Sequence, residues 1–367
     1  IEHMVFKGTG RRTALEIAEL SDRIGGQINA FTTKECTCFY GRVLDEHILT
    51  LVDILYDMLT GSKFGEIDIE NERGVIFEEI DMYEDSPEDL VVERLIGGIY
   101  KNALGKPILG KKSTLSKMDG DFLKSFMSAH YSPENIVISV SGSFKPGDID
   151  NIADLFSGLS GKKPRLRGAY YQPAFVTKKK RIEQSHICLG FPGLPTGSRR
   201  RYAFILLSNI LGGSMSSRLF QNVREKRGLC YTIYSFVSSY IDTGMFGIYT
   251  ATNDGCQLEA IRLILDEIDR INDSGVTEDE LSLCKQQAES NILMSLESTS
   301  DRMNRLGRGE LFLGRILTPD EIIEEYDKIT AEDILALSRS IFNRDNISFS
   351  AVGKNLPEDD YRNILRF

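Results

Sequence analysis

The chain has 367 residues, of which 41% are hydrophobic, so it can bury a full core and form one large or two ordinary domains. Lys and Arg total 44 against 54 Asp and Glu, and the resulting net charge of -10 argues against a nucleic-acid or anionic-membrane surface. No apolar run is long enough to span a bilayer, and we expect no signal peptide within this sequence. The composition therefore predicts a globular protein that binds neither nucleic acid nor membranes.

The six cysteines contain no C-x-x-C pair. Cys36 and Cys38 alternate along a predicted strand, so their side chains share one face and are poor disulfide partners. We therefore expect reduced, buried thiols in a cytoplasmic protein.

The opening stretch carries a Glu-His pair, Glu2 and His3, followed by Met-Val-Phe-Lys and Gly8. This pattern is typical of the last turn of a helix that a glycine ends. In the inverted zinc motif H-x-x-E-H, two histidines share one helix face and the glutamate precedes the second of them. That motif would place its first histidine two positions before Ile1, outside the sequence. Taken alone, the pair favours a polar helix end.

The predicted elements of the first half are helices interspersed with short strands. A capping box at Thr13 and Glu16 begins the first helix. The hydrophobic spacing then predicts strands at 28–33 and 36–44, helices at 46–60, 66–84, about 87–100 and 121–129, and a closing strand at 136–141.

A basic segment follows at 161–168, with Gly and Pro at its margins and no hydrophobic period. We interpret it as the core of an interdomain linker over 161–180.

A repeat relates the two sides of this linker. The stretch 131–142 resembles 342–353, and the offset is 211 residues at both ends (131 to 342 and 142 to 353). The sequence therefore predicts an α+β fold of two homologous units, 1–160 and 181–367. Each unit is expected to be an antiparallel-rich mixed sheet with helices packed on one face.

The offset also predicts a truncated first unit. The second unit begins with a predicted strand at 181–191 and a helix at 201–211, whose counterparts would lie before Ile1. His3 would then lie on the tail of the missing helix, where a zinc motif needs it.

The predicted helix 66–84 carries Glu72 and Glu79, which are seven residues apart. Two helical turns bring their directions back within about 20° of each other. One carboxylate could then bind a metal while the other orients a ligand, although carboxylate pairs of this kind are common on solvated helix faces. Glu78 would point roughly 100° away from them.

Five blocks of the sequence resemble the insulinase/pitrilysin family of inverted-motif zinc peptidases, in its short, bacterial and processing-peptidase-like branch. The blocks occur in the family's order and extend over essentially the whole chain. They are Ile1–Thr9, Gly26–Thr32, Glu70–Glu79, Leu104–Gly110 and Ser217–Tyr231.

The resemblance implies a zinc ion as cofactor. It matches His3 to the second zinc ligand, Glu79 to the third, Glu2 to the general base and Glu72 to a supporting carboxylate. Two histidines and one glutamate would leave a fourth zinc position for water, as catalytic zinc sites require. The first histidine is the one family ligand that this sequence does not contain.

The resemblance further implies a peptide substrate. Asn29, Ala30 and Phe31 match an edge strand whose unpaired main-chain groups would hold an extended peptide, although Phe31 alone is equally consistent with a core residue. Arg224 and Tyr231 match an Arg/Tyr pair that acts on the developing oxyanion and the peptide. Without the resemblance, this pair would be interpreted as structural.

In the family's long members, four such units share one chain, with zinc in the first and the Arg/Tyr pair in the fourth. A two-unit chain is therefore expected to form a homodimer, or a heterodimer with a related subunit, in which two subunits enclose the substrate. The function predicted is that of a metalloendopeptidase for extended or unfolded peptides. The alternative is a catalytically inactive family member that serves as a peptide-binding or scaffold subunit.

Overall fold

The computed structural model describes residues 1–162 and 167–366. The α-helices are α1 (Ala14–Arg23), α2 (Ile48–Gly61), α3 (Glu66–Glu84), α4 (Pro87–Ile99), α5 (Lys112–Leu115), α6 (Gly120–His130), α7 (Pro146–Phe156), α8 (Arg201–Gly212), α9 (Gln257–Ser274), α10 (Glu278–Ser295), α11 (Thr299–Leu313), α12 (Pro319–Asp327), α13 (Ala331–Ile341) and α14 (Glu358–Leu365). The strands are β1 (Gln27–Thr32), β2 (Thr37–Arg42), β3 (Phe175–Lys179), β4 (Ser185–Pro192), β5 (Cys230–Ser239), β6 (Gly244–Thr252) and β7 (Ser348–Gly353). The predicted α+β class is confirmed.

The chain forms two compact units that do not follow chain order. Unit 1 contains Ile1–Met82, Pro107–Leu166 and Leu296–Ile316. Unit 2 contains Tyr83–Lys106, Arg167–Ser295 and Leu317–Phe367. The predicted domains 1–160 and 181–367 were defined by the sequence repeat, whereas these two units are defined by contacts. The predicted domain boundaries therefore stay a prediction.

Unit 2 is built on a five-stranded sheet with the order β3-β7-β4-β6-β5. Strands β3 and β7 are parallel, and the other neighbours are antiparallel. This is the antiparallel-rich mixed sheet that the sequence predicts for the second unit.

Both faces of this sheet are covered, because side chains of β4 alternate between two cores. Ile187 and Leu189 are fully buried in the larger core, to which α8, α9 and α13 contribute. Cys188 points to the opposite core, which α4 covers. Helices therefore pack on two faces of the unit 2 sheet, and α4 comes from the N-terminal half of the chain.

The predicted linker differs from the structure at its C-terminal end. Residues 163–166, within its core at 161–168, lie outside the described residues. Phe175–Lys179 is strand β3, which pairs in register with Phe349–Gly353 of β7. This pairing joins segments far apart in sequence, so the local basic composition gave no sign of it.

Unit 1 has a smaller sheet, the antiparallel hairpin of β1 and β2, whose strands pair from Gln27 with Arg42 to Thr32 with Thr37. Its core includes Val5, Ile54 and Met58, each at most 1% exposed.

The strand predicted at 136–141 is absent from the structure, which gives these residues no regular secondary structure. Its counterpart in the repeat, β7, lies between β3 and β4 and pairs with both. In the described part of unit 1 no strand pairs with 136–141. Because a strand exists only through hydrogen bonds to a neighbour, hydrophobic alternation alone did not suffice here.

Within the described residues, no helix combines the length and the apolar composition needed to cross a bilayer.

Candidate metal centre

A short helical turn at the start of the chain presents His3. His3 has helical backbone angles (φ -60°, ψ -41°), and a 3₁₀ turn over Met4–Lys7 continues it. Met4 and Val5 are buried in the unit 1 core and anchor the turn, while the side chain of His3 stays 34% exposed. Gly8 ends the turn at φ 108°, a conformation that favours glycine. The predicted helical turn with its glycine stop is confirmed.

A buried polar network fixes the segment that follows this turn. The hydroxyl of Thr9 donates to Asp57 at 2.8 Å, and the guanidinium of Arg12 donates to the same carboxylate at 2.6 Å. Asp57 lies on α2 and is only 3% exposed. The charge of a buried carboxylate needs a hydrogen-bonded or cationic partner, and Thr9 and Arg12 provide these partners. The network therefore connects the segment after the His3 turn to α2.

Helix α3 presents Glu72 and Glu79 toward this turn, as the seven-residue spacing predicts. The side chain of Glu72 is 9% exposed and that of Glu79 is 45% exposed. Glu78, next to Glu79, is exposed.

His3 contacts both glutamates through different ring nitrogens. Its Nδ1 lies 3.0 Å from Oε2 of Glu72, and its Nε2 lies 3.7 Å from Oε2 of Glu79. An ionised carboxylate only accepts hydrogen bonds, so the Glu72 contact assigns the proton to Nδ1. Nε2, the other ring nitrogen, faces the carboxylate of Glu79.

The separation of His3 Nε2 and Glu79 Oε2 is close to that of two ligand atoms on one zinc ion. Two ligand atoms about 2.0–2.2 Å from a tetrahedral zinc lie roughly 3.4 Å apart, close to the His3–Glu79 separation. Glu72 behind the ring is the carboxylate partner that zinc-binding histidines characteristically have. Among the described residues, no group of three or more His, Cys, Asp or Glu could hold a metal ion by itself. The structure thus brings together His3 and Glu79, the two residues that the resemblance matches to zinc ligands.

The carboxylate of Glu72 is held in its charged form. Burial raises its pKa, but the hydrogen bonds and charges of Lys7 and His3 outweigh this effect, and the pKa of Glu72 lies below its usual value. Nζ of Lys7 forms an ion pair with Oε1, the carboxylate oxygen that His3 does not use.

Glu2 lies against the β1–β2 hairpin. Its carboxylate accepts a hydrogen bond from the hydroxyl of Thr32, the last residue of β1. The Thr32 hydroxyl is also 3.4 Å from that of Thr37 on β2. Burial raises the pKa of nearby Tyr131; a hydrogen bond with Thr37 lowers it, and the charge of Glu2 raises it further. The candidate general base is thus attached to the end of the candidate substrate strand.

Strand β1, the candidate substrate strand, alternates between exposed and half-buried residues. Asn29 and Phe31 are exposed, whereas Ala30 is half-buried. The main-chain N–H of Ala30 donates to the side chain of Asn29 at 2.8 Å, and the ring of Phe31 lies 6.0 Å from that of Tyr40. Within the described residues β1 pairs only with β2, so its other edge is unpaired.

Unit 2 brings Arg224 and Tyr231 together. The guanidinium of Arg224 lies 5.1 Å from the centre of the Tyr231 ring and 4.4 Å from that of Phe220. Arg224 belongs to a π-helical turn over Phe220–Glu225, a rare conformation that is frequent at functional sites. Tyr231 is 76% exposed near the start of β5.

The other three histidines have local partners. His47 lies 3.8 Å from Glu46, His130 stacks on Phe126, and His186 lies 2.7 Å from the Tyr249 hydroxyl.

Two polar contacts of the site were missed at the sequence level. Lys7 is part of the matched opening block, but nothing in that block indicates its contact with Glu72. Thr32 is the last residue of the matched edge-strand block. Each acts through a partner distant in sequence, and neither partner follows from local spacing.

Comparison with known proteins identifies the family. The family model described as "Insulinase (Peptidase family M16)" matches residues 1–112, and the model described as "Peptidase M16 inactive domain" matches residues 117–288. The chain belongs to the insulinase family, peptidase family M16, and to its short branch.

Among its relatives, the uncharacterized zinc protease YmxG of Bacillus subtilis is 44% identical over 94% of this chain and 85% of that protein. An uncharacterized zinc protease of Rickettsia felis is 39% identical over 96% of this chain and 86% of that protein.

Two solved structures share the fold. A peptidase M16 inactive domain from Pseudomonas fluorescens superposes with a TM-score of 0.87 at 19% identity, covering 96% of this chain and 86% of that one. A protease from Helicobacter pylori gives a TM-score of 0.88 at 18% identity, covering 96% and 88%. The predicted fold of two homologous units is confirmed by these neighbours.

Proposed function

We propose that this chain is a zinc-dependent endopeptidase that cleaves extended or unfolded peptides. The observation that carries the proposal is the convergence of His3 Nε2 and Glu79 Oε2 at 3.7 Å, with the opposite ring nitrogen of His3 fixed by Glu72. The family membership and the zinc-protease names of the relatives support it.

His3 and Glu79 would hold the zinc ion, together with the family's first histidine. Zinc bound there would polarise the scissile carbonyl and lower the pKa of an attacking water. Glu2 would take the proton from that water and pass it to the leaving amine. The hydrogen bond from Thr32 occupies one carboxylate oxygen of Glu2, and the other oxygen would accept the proton.

The peptide would add to the unpaired edge of β1. Main-chain hydrogen bonds to the strand around Asn29 and Ala30 bind a chain without reading its side chains. A folded domain does not offer a free extended segment, so the strand favours extended or unfolded substrates. Phe31, exposed on the same strand, offers an apolar contact to alternate side chains.

Removal of the metal tests the enzyme. Full-length protein should cleave a quenched peptide, lose that activity on treatment with a chelator and recover it with stoichiometric zinc. Cleavage that a chelator does not affect would contradict the zinc mechanism. Peptide binding without cleavage by the zinc-loaded protein would favour the alternative, a non-catalytic subunit.

Arg224 and Tyr231 are proposed to act on the zinc site of a partner subunit in a dimer. The exposed hydroxyl of Tyr231 would donate to the developing oxyanion, and Arg224, which lies over its ring, would position it. The carbonyl oxygen needs such a donor because charge accumulates on it during attack.

Complementation tests this dimer. A chain with Arg224→Ala and Tyr231→Phe is mixed with a chain carrying Glu2→Gln, each inactive alone. Random exchange should restore about a quarter of wild-type activity, because half of the dimers are mixed and each has one intact site. Absence of rescue after demonstrated subunit exchange would contradict the shared site.

A further inference from the structure

Lys7 and His3 reach the same carboxylate from one helical turn. Both side chains come from the turn that begins at His3 and runs over Met4–Lys7, and both reach Glu72 on α3. Lys7 pairs with Oε1 of Glu72, and His3 Nδ1 lies 3.0 Å from Oε2. Each carboxylate oxygen has its own partner, and rotation of the carboxylate would break one of the two contacts.

The burial of Glu72 makes the Lys7 contact important. The Glu72 side chain is 9% exposed, whereas that of Lys7 is 36% exposed. A buried carboxylate that loses its cation is left with an uncompensated charge, which is strongly unfavourable. Without Lys7, the carboxylate would relieve this cost by turning toward solvent, and the turn would take Oε2 away from the imidazole.

The orientation of His3 depends on that oxygen. Nδ1 lies against Glu72, so a proton on Nδ1 is donated to that carboxylate, and Nε2 on the opposite side of the ring faces Glu79. We propose that Lys7 is a positioning residue of the metal centre, which holds Glu72 so that His3 keeps its proton on Nδ1 and its Nε2 free for zinc. The zinc part of this inference rests on the proposed function, whereas the tautomer of His3 does not.

The tautomer can be measured in the zinc-free, full-length protein. At mildly alkaline pH, two-bond ¹H–¹⁵N couplings should show His3 protonated at Nδ1 in the wild type. Lys7→Met should shift His3 toward the Nε2-protonated form or a mixture, and Lys7→Arg should restore the wild-type pattern. Lys112→Met is the matched control, because Lys112 pairs with Asp81 on the same helix at 2.6 Å. An unchanged tautomer in folded Lys7→Met would overturn the proposal.

Zinc affinity provides the second readout. Competition with a chromophoric chelator should show binding about tenfold weaker for Lys7→Met, the lower end of the effect seen for partners of metal ligands. Lys7→Arg and Lys112→Met should stay within about threefold of the wild type. Equal affinities in Lys7→Met and wild type would contradict the inference.

The same variants distinguish a folding defect, a failure of the proposed function and a failure of the inference about Lys7. Thermal unfolding shows whether each variant folds. If Lys7→Met does not fold, Lys7→Gln replaces it, because glutamine keeps a polar side chain without the charge. If the wild type binds no zinc, the proposed function fails, and the tautomer measurement still decides the role of Lys7. If the wild type binds zinc and cleaves peptides while Lys7→Met matches it in both readouts, only the inference about Lys7 fails.

Discussion

Replacement of Glu2 by glutamine is expected to reduce kcat for peptide cleavage by at least about 10²–10⁴-fold, because general base catalysis typically contributes this much. Zinc should stay bound, since Glu2 accepts a hydrogen bond from Thr32 and is not one of the proposed ligands. The measurement is a quenched-peptide assay on full-length protein, with zinc content determined on the same preparation.

Glu19→Gln is the matched control, because Glu19 is exposed on α1 and has no proposed role. It should keep wild-type activity. Full activity of Glu2→Gln with normal zinc content would assign the base to another residue. Loss of zinc from Glu2→Gln would instead place Glu2 among the ligands.

Replacement of Glu79 by glutamine should weaken zinc binding by more than about 100-fold, beyond the effect expected for residues that only support a ligand. The amide is a poorer, uncharged ligand, so both zinc content after dialysis and activity should fall. Inductively coupled plasma spectrometry of dialysed, full-length protein measures the zinc content.

Glu78→Gln tests whether the loss of zinc is specific to the face of α3 that carries Glu79. Glu78 is adjacent to Glu79 and exposed, and it points roughly 100° away. It should retain stoichiometric zinc and activity. Equal loss in the two variants would indicate a general charge effect of the acidic helix, and no loss in Glu79→Gln would remove Glu79 from the metal centre.

The helical features of the site were predictable from the sequence because they depend on local periodicity. Seven residues return Glu72 and Glu79 to one helix face, and the structure places both of them against His3. The glycine stop at Gly8 is likewise a local signal, since its positive φ suits glycine.

The features that depend on distant partners were not predictable in this way. Strand β3 forms because β7 pairs with it, whereas 136–141 has strand-like alternation but no strand partner in the described part of unit 1. Helix α4 was predicted as a helix, yet nothing in its sequence indicated that it covers the unit 2 sheet. The same limit applies to Lys7, whose contact with Glu72 joins two segments 65 positions apart (7 to 72).

The most direct test is the position of zinc in crystals of the full-length, zinc-loaded protein, measured by anomalous diffraction at the zinc edge. We predict one strong peak about 2.0–2.2 Å from both His3 Nε2 and a carboxylate oxygen of Glu79. A zinc peak that lies next to neither residue would contradict the proposed metal centre. So would a zinc ion bound elsewhere while the side chains of His3 and Glu79 point away from each other.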